Sequence, residues 1–273
     1  MLQNRAIQKQ HESARFHDEH HHYQTNRGYA GYVEHANGLE VFIGLAAGRL
    51  LDLGAGTGRA AREIKQRYPR LAIDASVLSW SDAMAKELGA DSGVRVRVAS
   101  AEAMEDFAPE SESAILGVLS ATYSAAPYLA ALAMDRVLEP GGAIKLVCGT
   151  GASPSYERTY TVGSIRTKNL LGAFAIAALT NQAGPFLHNI IQDRRLAVRT
   201  MASAAQYAQI FNSLQYDTHA TASVVYPDKH TIFVGIKPGG SATMSARDLY
   251  EADAATLRAQ LIEIDPRYYN DLD

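Results

Sequence analysis

The segment Leu50-Leu51-Asp52-Leu53-Gly54-Ala55-Gly56-Thr57-Gly58-Arg59 constrains this chain more than any other. An apolar strand runs into three glycines, and a helix opens directly behind them. Glycine is needed there because the turn is tight and the backbone approaches a ligand so closely that a Cβ would clash. The new helix directs N–H groups and its positive dipole end at that ligand. Gly58 stands one residue closer to Gly54 than in a dinucleotide-binding turn, and Arg59 takes the place of the third glycine. Asp52 is an awkward charge beside a pyrophosphate and suits a ligand bearing an ammonium group. Asp74 is read as ending the second strand, where a carboxylate accepts hydrogen bonds from both hydroxyls of a ribose.

From about Gly44 to Lys237, short aliphatic runs alternate with helical stretches, the pattern of a doubly wound, mostly parallel sheet. Seven strands are expected: Arg49–Leu53, Leu71–Asp74, Val94–Ala99, Ala114–Leu119, Ala143–Val147, Thr218–Val225 and Thr231–Ile236. Helices are expected over Gly58–Arg67, Asp82–Leu88, Ala126–Val137 and Ser203–Leu214. The last two strands are joined only by Tyr226-Pro227-Asp228-Lys229-His230, too short for a parallel crossover, so they are antiparallel. Arg136-Val137-Leu138-Glu139-Pro140-Gly141-Gly142 is expected to end a helix and turn into the fifth strand.

The organisation expected is a helical cap or lid over 1–45, a ligand-binding α/β domain over 46–240, and a C-terminal helix and tail over 241–273. Residues 150–200 interrupt the α/β domain as a helical insertion after the fifth strand. In it, Leu170 to Leu179 reads as a buried helix and Gly184-Pro185 as a break.

The 273 residues carry 26 Lys+Arg against 29 Asp+Glu, a formal net charge of −3, which disfavours a general nucleic-acid binder. The longest apolar run is too short to cross a bilayer. A single cysteine, Cys148, and no apolar leader fit a soluble cytoplasmic protein.

The Asp52-Leu53-Gly54-Ala55-Gly56-Thr57-Gly58 turn, Asp74, the Arg-Val-Leu-Glu-Pro-Gly-Gly segment and the closing hairpin together resemble a class I S-adenosylmethionine-dependent methyltransferase. The resemblance covers about residues 45–150 by motif and 200–237 by topology. It implies a Rossmann-like methyltransferase fold with strand order 3-2-1-4-5-7-6. It also implies S-adenosyl-L-methionine as cofactor, with Gly54, Ala55, Gly56 and Gly58 beneath it, Asp52 at its methionine amino group, and Asp74-Ala75 at its ribose. Ser100-Ala101 stand where the family usually has Asp-Ala beside the adenine, and Leu119-Ser120 follow the fourth strand. The Asn/Asp-Pro-Pro-Tyr motif of many nucleobase methylators is absent after that strand, which points to a small-molecule substrate, in specialised metabolism among other settings. No nucleic-acid or membrane partner is expected, and a homodimer is compatible with the sequence.

The remaining candidates are single residues. Tyr23, Tyr29 and Tyr32 offer aromatic faces to a sulfonium from the cap, where Tyr23 and Tyr29 are assigned to the cofactor. Tyr123 and His188 are the catalytic candidates, His188 as a general base. His17 and His21, like Asp18 and His22, share a helical face, but a solvated polar helix explains them better than a metal does. Two alternative functions remain: a lyase or cyclase that uses the cofactor's aminoalkyl chain and releases methylthioadenosine, and a non-catalytic cofactor-binding or interaction module.

Overall fold

The computed structural model describes residues 29–77, 88, 92–124, 126–149, 160–162, 165–167, 202–228, 230–240 and 244–264. The strands are β1 (Arg49–Leu53), β2 (Ala72–Val77), β3 (Val94–Val98), β4 (Glu112–Val118), β5 (Leu138–Gly149), β6 (Tyr160–Val162), β7 (Ile165–Thr167), β8 (Asp217–Ala222) and β9 (His230–Ile236). The helices are α1 (Tyr29–His35), α2 (Glu40–Leu45), α3 (Arg59–Arg67), α4 (Pro127–Val137), α5 (Ala204–Ser213) and α6 (Ala246–Ile264). A seven-stranded sheet runs β3-β2-β1-β4-β5-β9-β8. Its first five strands pair in parallel, and β9 is antiparallel to both β5 and β8. Counting only this sheet's strands, the order is 3-2-1-4-5-7-6, as the resemblance implied.

Strand alternation sorts the core into two layers. Leu50, Ile73, Leu116, Val147, Ile232 and Val234 pack against α1, α2, α3 and α6 on one face. Leu51, Leu53, Ile115, Ile144, Leu146 and Phe233 pack against α4 and α5 on the other. α5 starts on a reciprocal cap: Ser203 Oγ accepts from Gln206 N at 3.2 Å, and Gln206 Oε1 accepts from Ser203 N at 3.0 Å. α6 belongs to the same compact unit as the sheet, with Leu249, Tyr250, Ala254 and Leu257 buried.

Two expectations need correction. β2 continues to Val77, so Asp74 lies inside the strand rather than at its end. The Pro140-Gly141-Gly142 segment is not a free turn, because β5 begins directly after α4. Glu112 pairs with Leu138 while Ala114 pairs with Ala143, and the register shift absorbs the residues between. Gly141 takes a φ of 80° there, and its N–H donates to Lys237 O at 3.1 Å. Gly151–Thr200 form a compact unit of their own, whose described part is an antiparallel hairpin of β6 with β7. The helices expected at 82–88 and 170–179 lie outside the described residues, apart from Leu88.

One buried charge pair joins the sheet-bearing unit together. Lys145 of β5 and Asp253 of α6 are both fully buried, with Nζ 2.7 Å from Oδ2. Lys145 Nζ also donates to Gly38 O at 2.7 Å. Asp253 Oδ1 accepts from Val41 N at 2.8 Å and Phe42 N at 3.3 Å, so it caps α2 from another part of the chain. Gly38 (φ +92°) has no room for a side chain: a Cβ there would lie 2.1 Å from Asp253 O. Burial pushes the Lys145 pKa down, and the Asp253 carboxylate beside it pulls the other way. Removing one member strands the other charge, so Asp253→Ala is expected to destabilise the fold by ~3–5 kcal/mol. Replacing both, as in Lys145→Met with Asp253→Leu, should cost less than the single change. Urea denaturation of the single and double variants measures both.

Candidate active site at the carboxyl edge of the sheet

β1 delivers Asp52 to the carboxyl edge on the face covered by α1. Its side chain is fully buried, and among the described residues neither carboxylate oxygen has a hydrogen-bond partner. Burial alone raises its pKa to about 7. Tyr32 of α1 stands close enough that, beyond the effect of its own burial, the charge of Asp52 raises its hydroxyl pKa further. An unpaired buried carboxylate is costly and is kept where a cation completes it.

Behind Asp52 the chain makes the expected turn. Gly54, Gly56 and Gly58 have φ of 70°, 60° and 80°, a region that favours glycine. A Cβ on Gly54 would lie 2.4 Å from Ser120 Cβ, and one on Gly58 would lie 2.0 Å from Leu88 Cδ1. Three amides of the turn are already used within the protein. Gly54 N donates to Ser76 Oγ, Ala55 N to Ser76 O and Gly58 N to Ala55 O, each at 2.9 Å. The turn therefore offers a close backbone surface rather than a cradle of amides for phosphate. This agrees with the charge of Asp52.

The other sequence candidates divide. Ala75 is fully buried in β2, opposite Asp52, and packs with Ala55 and Val77. Ser100 and Ala101 follow β3 in a small turn, where Ala103 N donates to Ser100 O at 3.1 Å. Next to them, Glu102 Oε1 accepts from Ser124 Oγ at 2.8 Å. Leu119 directly follows β4 in the left-handed region, with φ 62°, its N–H held by Val147 O at 2.9 Å. Such a conformation is unfavourable for leucine and persists only where the surroundings fix it. Ser120 Oγ donates to Leu53 O, which ties the end of β4 to the start of the glycine turn. Tyr123 closes a 3-10 turn over Ala121–Tyr123. Tyr29 opens α1, and its side chain lies outside the described residues, as do Tyr23, His188 and the 17–22 histidine cluster.

Asp74 is not placed as the sequence suggested. It pairs in register with Leu51 and Arg95, on the opposite face from Asp52. Both of its carboxylate oxygens accept from the Arg95 guanidinium. Glu112, at the amino end of β4, is raised to about 7 first by burial and then by the charge of Asp74 beside it. Asp74 thus belongs to a charge cluster directed toward the amino end of the sheet and paired within the protein. The signal that could have shown this is Val94-Arg95-Val96-Arg97-Val98, whose alternation sends an arginine to the face of Asp74. Among the described residues, Tyr32 is the cap tyrosine seen beside Asp52. The sequence reading also missed His35, Tyr226 and His230 at the same edge.

Residues 51–146 match the family model described as a methyltransferase domain. No curated protein matches the chain. Among solved structures, an O-methyltransferase family protein from Burkholderia thailandensis is similar with a TM-score of 0.53 and 14% identity, over 88% of this chain and 64% of that one. A possible histamine N-methyltransferase from Thermotoga maritima gives a TM-score of 0.50 and 16% identity, over 83% and 99%. The 1,6-didemethyltoxoflavin-N1-methyltransferase of Burkholderia thailandensis, solved with that compound and S-adenosylhomocysteine, gives a TM-score of 0.50 and 14% identity, over 87% and 90%. At these identities the likeness concerns the fold, and the fold agrees with the family match. Residues 51–146 match a methyltransferase domain, and the seven-stranded sheet around them has the class I methyltransferase fold.

Proposed function

We propose that the protein transfers the methyl group of S-adenosylmethionine to a small-molecule acceptor, with Asp52 holding the methionine ammonium. The observation that carries this reading is the buried, unpartnered Asp52 carboxylate beside a glycine turn that has little to offer a phosphate. The residues fit the cofactor: an ammonium would complete Asp52, beside a glycine turn whose backbone packs closely on Ser120 and Leu88. Ala55 and Gly56 would back its chain, with Ser100-Ala101 and Leu119-Ser120 on its flanks. Tyr32 would close it from above. When bound, the cofactor supplies a methyl on a sulfonium that is already a good leaving group. The protein's task is then to align the acceptor and exclude water, which accounts for a strong binding site without an obvious catalytic triad.

Small-molecule specificity is supported by the absence of basic excess and of the nucleobase-methylator motif. The Burkholderia and Thermotoga proteins similar in fold are named for small acceptors, 1,6-didemethyltoxoflavin and, as a possible substrate, histamine. Among the described residues no helix is long and apolar enough to cross a membrane.

S-adenosylmethionine should raise the melting temperature, because it binds the native state only. Stabilisation by NAD in its place would overturn the reading. Asp52→Asn should weaken binding by ~1.5–3 kcal/mol, the range for hydrogen bonds to a charged group. Since Asp52 titrates at about 7 without ligand, affinity should fall up to about tenfold per unit as pH drops from 7 toward 5. The ligand's own amine stays protonated throughout that window. Calorimetric titrations at several pH values measure this, and the Asn variant should show no such slope.

The same shift has an opposite consequence for the empty protein. A folded-state pKa raised above the ordinary carboxylate value gives stability that is present at low pH and lost as pH rises through 7. Asp52→Asn should therefore melt higher than wild type at pH 8 without cofactor. Gly54→Ala, which brings a methyl into Ser120 and occupies a left-handed φ, should reduce both stability and cofactor affinity. Thermal melts with and without S-adenosylhomocysteine separate the two effects.

A further inference from the structure

Residues 119–124, which follow β4, are irregular backbone fastened along its length to other parts of the fold. Leu119 N donates to Val147 O of β5 at 2.9 Å. Ser120 Oγ donates to Leu53 O at the end of β1. From α5, the fully buried Tyr207 donates its hydroxyl to Ala121 O at 3.0 Å. Thr122 Oγ1 accepts from Gly149 N at 3.0 Å, and Thr122 O accepts from Ala202 N at 3.1 Å. Ser124 Oγ donates to Glu102 Oε1 at 2.8 Å, across to the turn that follows β3. Room is left for the segment as well: a Cβ on Gly117 would lie 3.2 Å from Ser120 Oγ.

The turn after β3 is tied down in the same way. Arg136 of α4 donates to Phe107 O at 2.9 Å and also to Met104 O, and Arg97 Nη1 donates to Asp106 O. Met104 and Phe107 are themselves buried in the layer under α4 and α5. Connecting loops are ordinarily the mobile parts of a domain. These two are tied closely enough to act as a fixed wall, and the same ties hold Leu119 at its unfavourable φ. The wall reaches from one side of the proposed cofactor site to the other. At one end Ser120 lies against the glycine turn, where a Cβ on Gly54 would come within 2.4 Å of the Ser120 Cβ. At the other, Ser124 holds Glu102, the neighbour of Ser100-Ala101.

We propose that Glu102 and Ser124 are positioning residues for the cofactor: the hydrogen bond between them fixes the separation of the turns after β3 and β4, and so preforms the slot for the adenosine half of S-adenosylmethionine. This rests on the methyltransferase reading above. Neither side chain has to touch the ligand. Without the bond the two turns sample other separations, the binding-competent fraction falls, and the apparent affinity falls by the same factor. The methionine half is served separately by Asp52, which is held within β1 between Ala75 of β2 and Leu116 of β4.

Ser124 Oγ also accepts from Ala126 N at 3.3 Å, just before α4, so Glu102 is the cleaner place for a substitution. The test needs no acceptor. Wild type, Glu102→Ala and Glu102→Gln are titrated calorimetrically with S-adenosylhomocysteine and with 5′-methylthioadenosine, which carries the adenosine half without the amino acid. Glutamine keeps an oxygen that can accept from the Ser124 hydroxyl. Glu102→Ala should weaken both ligands by the same factor, about five- to tenfold, the effect of one lost hydrogen bond. Glu102→Gln should stay within about twofold of wild type. Adding Ser124→Ala to Glu102→Ala should weaken binding no further, because the two act through one bond. A purely structural role would lower the urea midpoint of Glu102→Ala and leave both affinities at the wild-type value, and that result overturns the proposal. It is overturned equally by a loss confined to S-adenosylhomocysteine, by a Gln variant as weak as Ala, by additive losses in the double variant, or by wild type that does not bind 5′-methylthioadenosine. Each of these leaves the cofactor reading intact, whereas wild type that also fails to bind S-adenosylhomocysteine would overturn both.

Discussion

The Lys145–Asp253 pair fixes the geometry on which the site depends. It sits where three separate parts of the chain meet: the interior strand β5, the helix α6 and the turn between α1 and α2. Asp253 spends one oxygen on Lys145 and the other on the N-terminus of α2, so neither charge is left uncompensated. Asn37 is pinned nearby, donating to Tyr250 OH at 3.0 Å and accepting from Ser223 Oγ at 2.8 Å. These contacts anchor the last residues before α2 both to α6 and to the start of the β8–β9 turn. The end of α1 is thereby held against the sheet, with Tyr32 near Asp52 and His35 against His230. A well-satisfied ion pair in the core thus acts at a distance on the active-site edge, by setting where the cap helix can lie.

The sequence revealed local features and concealed pairings. β1 and its glycine turn were legible because the apolar run, the glycines and the opening helix are contiguous, and the structure places all three glycines at positive φ. The closing hairpin was legible because five residues cannot carry a crossover. Asp74 was misread because a charge usually stops a strand, and what lets β2 continue is Arg95, whose pairing with Asp74 exists only once β3 lies alongside. The Pro-Gly-Gly segment was misread for a related reason. Glycine and proline signal a turn locally, but here they occupy a register irregularity whose partners, Glu112 and Lys237, come from distant strands. Lys145 gave no warning inside an apolar strand, since its partner stands 108 residues away. The contact of His35 with His230 is the extreme case: neither residue sits in a motif, and only the fold joins them.

Two buried charge problems on one face of the sheet are solved in two ways. Lys145 has a partner inside the protein, and the result is architecture. Asp52 has no partner among the described residues, and its raised pKa is the measure of what that costs. The costs are not interchangeable. A substitution that relieved Asp52 would make the empty fold more stable and the ligand-bound one less so, the direction expected when strain is retained for binding. A partner placed beside Asp52 would remove the same strain and would also compete with the ammonium for the carboxylate. On the proposed function, the position is therefore constrained from both sides: the carboxylate has to be there, and it has to stay unsatisfied for the ammonium to complete it.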